Sequence, residues 1–391
     1  EILARIIREG DPQPPIHYWL LWGWARLTGD AEFAMRAWSA LLSLALVPLM
    51  YQVGRKLWRE EVGLLAAGLT AIHPQQIWLA QDVRNMYQLA LIALLVATLI
   101  LPKLIHHEGA KTRRSTKKIF YWLGYVACGA FATYSHYYAL FPLIAHGAYV
   151  FSPSPDGALR QGRGLGGGAG WLAAGLAIAA LVAPWAVVIL PVYSRGQLAD
   201  PGSLPFTQYA AAVLGDLTAG PAFPEQTKLL IAAAFILVSL ISLVSLPPRL
   251  LVYLSTCLLI PFLGIYAITA TRSTFNSFYY VFAFPAAYLL AAGGLHTLYK
   301  KFPPLGATAI VIGLTVFAVG LNNQYTNSQY SKTRGMREVA AHLAEAAQPG
   351  DLYLANFPDP VQVYYLRNLD LSYHMLPGEP NDHPDAELSQ L

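Results

Sequence analysis

Charge is what this sequence has least of. Asp, Glu, Lys and Arg make up 12% of its 391 residues, about half the share of a soluble domain, which excludes a solvated globule with a charged shell. Cysteine is nearly missing. Cys128 and Cys257 both lie in apolar runs and read as small buried hydrophobes, so nothing suggests a disulfide or thiolate-metal framework. No Walker loop, paired Cys-x-x-Cys, H-E-x-x-H or G-x-S-x-G occurs, leaving those chemistries without a carrier. The glycine-rich "GRGLGGGAG" (162–170) follows no strand and reads as a flexible linker. No nucleic-acid partner is expected.

What is present is apolar: 55% hydrophobic residues and a mean hydropathy of +0.41. Stretches near 20 residues, enough to cross a bilayer, fall at 37–54, 62–79, 85–105, 119–136, 138–151, 171–192, 229–246, 250–270, 279–298 and 305–321. The 138–151 stretch is short and reads either as re-entrant or as merged with its neighbour. Positive clusters at 54–60, 111–118, 159–164, 247–249 and 299–301 occupy alternate connections, so all five face the cytoplasm if every stretch crosses. The other connections, "AQDVRN", "TYSHYY", the 193–228 loop and "TRSTFN", then face the exterior. Residues 16–28, "IHYWLLWGWARLT", are too short to cross and fit a helix lying in the outer interface. After the last span, "TRGMREVAAHLAEAA" has helical periodicity, "PGD" is a turn, "LYLAN" a strand and "PDPVQVYYL" a helix.

The expectation is an all-α polytopic membrane protein of about ten transmembrane helices, carrying an interfacial juxtamembrane helix and the start of a small α/β external C-terminal domain. Residues 1–36 would close a first external loop, 37–321 form the membrane domain and 322–391 the external domain. The chain opens without an initiator Met or a signal-peptide pattern and stops on "DAELSQL", which reads as a fragment short at both ends.

Ionisable groups at span ends default to function. In "AQDVRNMY", a helix starting near Val83 would make Asp82 an N-cap. Arg84 would then sit in the first turn, where a cation is disfavoured but an anion bound to guanidinium and helix N-terminus is not. Snorkelling toward headgroups is the alternative. Tyr87 and Gln88 share Arg84's face. In "TYSHYYALF", His136 is suited to hold a phosphate oxygen, ligate a metal or move a proton; otherwise it belongs to an aromatic belt. Arg272 in "TATRSTFNSFYY" ends a span, as a headgroup anchor or as part of an anion site shared with Arg84 and His136. In "DPQPPIHYW", Asp11 and His17 bracket prolines that enter the surface helix.

These motifs, in this order, resemble the membrane glycosyltransferases of the GT-C fold (glycosyltransferase family 39-like): protein O-mannosyltransferases, aminoarabinose transferases and lipopolysaccharide sugar transferases. Pro14, Pro15, Tyr18, Gly29, Asp30, Glu32, Phe33, Arg36 and "GRKLW" match the family's early region. "AQDVRNMYQLAL" is similar to its Q-E-A-R-M-Y-A-L, "TYSHYYALF" to Y-T-H-Y-Y-A-L-F, and "FYYVFAFPAAYLLAAGGL" to the penultimate span. The resemblance implies a hexosyl- or pentosyltransferase using a polyprenyl-phosphate-linked sugar on the external (periplasmic or extracellular) face, with a glycan, lipid or protein acceptor. It assigns Asp82 as a catalytic acid, with the main acidic pair expected upstream of Glu1. Arg84, Tyr87, His136, Tyr137, Arg272, Gln13 and His17 would line the donor site. Two positions depart from the family: Gln13 replaces a His or Lys, and Tyr279 replaces an Arg for which Arg272 would substitute. Related enzymes use a divalent metal in some cases; nothing here demands one. A flippase of lipid-linked sugars should show inverted repeats, and none is visible. A non-catalytic scaffold would leave Arg84, His136 and Arg272 unexplained.

Overall fold

The computed structural model describes residues 13–83, 85–105, 113–152, 166–195, 204–269, 277–330, 335–355 and 360–375. The chain divides into two compact units, Glu1–Gly320 and Leu321–Leu391. Helix α1 (Ile16–Thr28) is followed by α2 (Glu32–Leu57), α3 (Glu60–Ile72), α4 (Pro74–Ala80), α5 (Met86–Ile105), α6 (Arg113–Ser135) and α7 (Leu140–Phe151). Then come α8 (Gly166–Arg195), α9 (Phe206–Ala219), α10 (Glu225–Ile241), α11 (Pro248–Thr269), α12 (Phe284–Lys301) and α13 (Pro303–Thr326). Short 3-10 turns at Tyr137–Ala139 and Ser277–Ala283 lead into α7 and α12.

All ten apolar stretches are helical. Among the described residues, seven helices are long and apolar enough to cross a membrane, as a hydrocarbon core of about 30 Å requires. The windows in α5 and in the helix from Phe278 to Lys301 are 61% and 72% buried, against 28% or less in the other five. These two therefore form the centre, and the rest turn leucine-rich faces outward (Leu44, Leu176, Leu230, Leu237 and Leu263 are exposed). In lipid such faces need no covering; close packing comes from small residues. At the α2–α3 crossing, a Cβ on Gly54 would lie 2.5 Å from Gly63 Cα, and one on Gly63 2.5 Å from the Tyr51 carbonyl. Side chains are excluded there.

The 62–79 stretch is not one rod. Pro74 forces His73 into extended backbone (φ −66°, ψ 128°), separating α3 from α4. The His73 ring repairs the break: Nδ1 accepts from Gln75 N at 3.2 Å, and Nε2–H therefore donates to Thr218 O at 3.1 Å. Thr218 belongs to α9, a helix inside the segment expected as a 193–228 loop. Tyr209, Val213 and Leu217 bury one side of it, and Lys228 of α10 clamps it through Asp216 at 2.8 Å. The 138–151 stretch is a 3-10 turn followed by the short α7.

The second unit contains α14 (Met336–Ala346), β1 (Asp351–Ala355), α15 (Pro360–Leu366) and β2 (Leu371–Met375). The strands pair in parallel, from Asp351 opposite Leu371 to Ala355 opposite Met375. The expected helix–strand–helix order holds, and β2 adds the partner that a lone strand requires.

Candidate functional site

Helix α6 stops at Ser135, and His136 leaves it in extended backbone (φ −159°, ψ 131°). Its Nδ1 accepts from Tyr138 N at 3.2 Å, capping the 3-10 turn that opens α7. A ring nitrogen that accepts an amide proton is unprotonated, so neutral His136 carries its proton on Nε2 and acts as a donor through it. The imidazole is fixed by aromatic neighbours: Tyr87 at 4.7 Å between ring centroids, Tyr138 at 5.1 Å and Phe282 at 5.3 Å.

His136 lines a cavity of about 450 Å³. Its polar rim comes from Gln13, Thr133, His136, Tyr137, Tyr138 and Tyr279. Below, Val182, Ala186, Ile189 and Leu190 present one face of α8, and Leu140, Phe141 and Ile268 supply the facing wall. Val182, Ala186 and Ile189 recur at helical spacing, so a single stripe of α8 makes the trough. Trp185, on the adjoining face, donates its Nε1–H to Tyr137 Oη at 2.7 Å, and Tyr18 of α1 packs on the Trp185–Ile189 pair. The lining thus pairs hydroxyl, amide and imidazole groups with hydrocarbon.

The structure gathers three of the expected donor-site residues, Gln13, His136 and Tyr137, around one cavity. Tyr87 stands behind His136 as its stacking partner. His17 is fully buried, edge-on to Tyr18 with centroids 5.6 Å apart, and is not among the lining residues. Asp82 is also outside the lining. It does not cap α5, which starts at Met86: Asn85 Oδ1 takes that place, accepting from Gln88 N at 3.2 Å. The cap shifts because residues 81–83 are still leaving α4, where Asp82 N bonds to Leu79 O. Asp82 instead offers its carbonyl to Ser39 Oγ of α2. Arg84, Arg272 and Asp11 lie outside the described residues. Tyr138, Thr133 and Tyr279 are rim residues that the candidate list omits. Their signal is a concentration of hydroxylated aromatics at span ends, and Tyr279 is the position where the family motif has Arg.

A buried amide cluster lies beneath the Gln81–Asn85 segment. Asn85 Nδ2 donates to Leu79 O at 2.7 Å and to Gln88 Oε1. Ser43 Oγ also donates to Gln88 Oε1, and Gln88 Nε2 reaches Gln76 Oε1 at 3.5 Å. Asn85, Gln76 and Gln88 are all buried, so the start of α5 is tied down by satisfied polar contacts, as buried polar groups require. Among the described residues, no three His, Cys, Asp or Glu side chains gather as a metal site.

Residues 12–188 match the family model of dolichyl-phosphate-mannose-protein mannosyltransferase. The fold is similar to that of ArnT from Cupriavidus metallidurans in the apo state, at 13% identity and TM-score 0.56, covering 97% of this chain and 80% of that one. The same enzyme bound to undecaprenyl phosphate matches at 14% identity and TM-score 0.53 with the same coverage. The oligosaccharyltransferase from Archaeoglobus fulgidus, tethered with an acceptor peptide, gives 13% identity and TM-score 0.48 over 94% of this chain and 52% of that one. No curated protein sequence matches.

Proposed function

We propose that this chain, a multi-pass membrane glycosyltransferase of the GT-C fold, moves a sugar from a polyprenyl-phosphate-linked donor to an acceptor at the external membrane face. The observation that supports this reading is the two-part cavity. A prenyl tail needs a hydrocarbon wall to lie against, and α8 with Leu140, Phe141 and Ile268 supplies one. The phosphate and sugar need neutral donors and ring faces above it, and Gln13, His136, Tyr137, Tyr138 and Tyr279 supply those. The ArnT relative crystallised with undecaprenyl phosphate supports the same donor class.

In the reaction, an acceptor hydroxyl or amine loses a proton to a carboxylate as it attacks the anomeric carbon, and the phosphate departs with its bonding electrons. His136 donates from Nε2–H to the departing phosphate. Arg84 and Arg272 neutralise its growing charge. Asp82 is the acid in the chain nearest in sequence to the α5 turn behind His136, and it assists the proton transfer. The experiment is release of free polyprenyl phosphate from a polyprenyl-phosphate sugar by the full-length protein in proteoliposomes. Asp82→Asn should lower turnover by about a hundredfold and His136→Ala by about tenfold. Wild-type turnover in both variants removes the assignment.

A further inference from the structure

The end of the bundle away from the cavity carries a cluster that sugar transfer does not use. From Tyr279 at the cavity rim to His296 the chain advances roughly 25 Å along the helix axis. There Arg59, in the turn between α2 and α3, donates from Nη1 to His296 Nε2 at 3.2 Å. A ring nitrogen that accepts from guanidinium is unprotonated and supplies no negative charge. Among the described residues Arg59 forms no ion pair. The nearby acids are otherwise placed: Glu60 accepts from Tyr51 Oη at 3.0 Å, and Glu61 is exposed to water. The Glu61 carboxyl is held below its usual range chiefly by its own backbone N–H, with smaller pulls from the Arg59 and Lys300 cations, which places these groups in one neighbourhood.

Two adjacent side chains here bury donors with no acceptor, Trp58 Nε1 and Arg59 Nε. The Trp58 ring is fixed in place because it fills the space a Cβ on Gly293 would need. Lys300 and Lys301 in the last turn of α12, and Arg55 and Lys56 in the last turn of α2, add positive charge. Donors without acceptors, and five cations against the two exposed carboxylates of Glu60 and Glu61, ask for the same thing, an anion rich in oxygen. Tyr299, Phe302 and Leu305 expose apolar surface beside the cluster, so an anion arriving here would suit one that brings hydrocarbon with it.

We propose that the corner formed by Trp58, Arg59, His296 and Lys300 binds the phosphate of an anionic phospholipid. The phosphodiester oxygens accept from Trp58 Nε1 and Arg59 Nε, Lys300 balances the charge from the rim, and neutral His296 sets the plane of the guanidinium. The site is separate from the sugar-transfer cavity and does not rest on its assignment.

The test uses the full chain in a neutral maltoside detergent, titrated with short-chain phosphatidylglycerol, phosphatidylcholine or inorganic phosphate. Lipid retention is read by native mass spectrometry and protection by the melting temperature. Phosphatidylglycerol should be retained and raise the melting temperature, phosphatidylcholine and inorganic phosphate should not, and each cation removed should weaken binding about fivefold. Arg59→Gln probes the centre. Lys300→Gln, an exposed position, keeps the test decisive if the first variant does not fold. Equal retention of the two lipids, equal protection by inorganic phosphate, or unchanged phosphatidylglycerol binding in Lys300→Gln would overturn the proposal.

Discussion

Replacing Gln88 by Leu removes the acceptor around which the buried amide cluster is organised, and the losses can be sorted one by one. Ser43 Oγ falls back on Ser39 O, 3.0 Å away. Asn85 keeps its bond to Leu79 O and its cap on the backbone N–H of residue 88, which the substitution leaves intact. Two groups stay unmet: the second Asn85 Nδ2 proton and the Gln76 carbonyl oxygen. Each buried orphan costs about 1–3 kcal/mol, and the Gln76 contact, long at 3.5 Å, belongs at the low end. The expected destabilisation is about 2–3 kcal/mol after the added apolar burial offsets part of the loss. Equilibrium unfolding of the full chain in mild detergent measures it. Asn85→Ala should cost a similar amount, since it forfeits a helix cap worth about 1 kcal/mol together with the tie to Leu79. The double variant should cost less than the sum, because both remove the same Asn85–Gln88 bond. Wild-type stability in Gln88→Leu, or strict additivity in the pair, would refute the network. Tyr87, the residue before Gln88, stacks on His136, so the same variants should raise donor KM.

Three further outcomes are expected. Ala186→Trp narrows the trough; a displaced tail moves into lipid rather than water, so only about 1 kcal/mol of packing is lost, read as a roughly fivefold higher donor KM with kcat unchanged. An unaltered KM would remove the trough. Gly63→Leu drives a side chain into the Tyr51 carbonyl and should abolish the monodisperse elution peak, whereas Gly68→Leu, which meets nothing within 4 Å, should elute as wild type; equal behaviour of the two would contradict the α2–α3 crossing. Lys228→Met removes the ammonium that donates to Asp216 in a half-dry setting and should cost about 3 kcal/mol. Most of that should return on adding Asp216→Asn, while Glu225→Gln, at a largely exposed partner, should be near neutral.

Helices were legible wherever apolar runs were long, because lipid demands a satisfied backbone and only helical hydrogen bonding provides it within one segment. The breaks were harder. The stretch 62–79 reads as continuous by hydropathy, yet His73–Pro74 divides it, since proline restricts the residue before it more sharply than hydropathy records. Helix α9 reads as loop in the sequence because its 14 residues mix Thr, Gln and Asp with apolar positions, and its identity depends on partners distant in sequence: His73, Lys228 and Phe262, whose carbonyl accepts from Tyr209 Oη at 2.7 Å. At the site, His136 and Tyr137 could be nominated from their place at a span end. Tyr279 is legible only through the family motif, where it stands in place of Arg, because a cavity wall built from five separate segments has no linear trace. The capping reading of Asp82, one of the two that the sequence allows, is not met, because residues 81–83 still leave α4 and Asn85 caps α5.

The bond from His73 to Thr218 joins residues 145 positions apart. During synthesis the imidazole enters the membrane with α3 and must wait while α5 to α8 are threaded before its carbonyl emerges. Until then its N–H has no acceptor from α9. The proline break therefore stays loose through most of insertion and is sealed late, by the 14-residue α9, so that truncation of the nascent chain before residue 218 should leave the first helices inserted but their hinge unlocked.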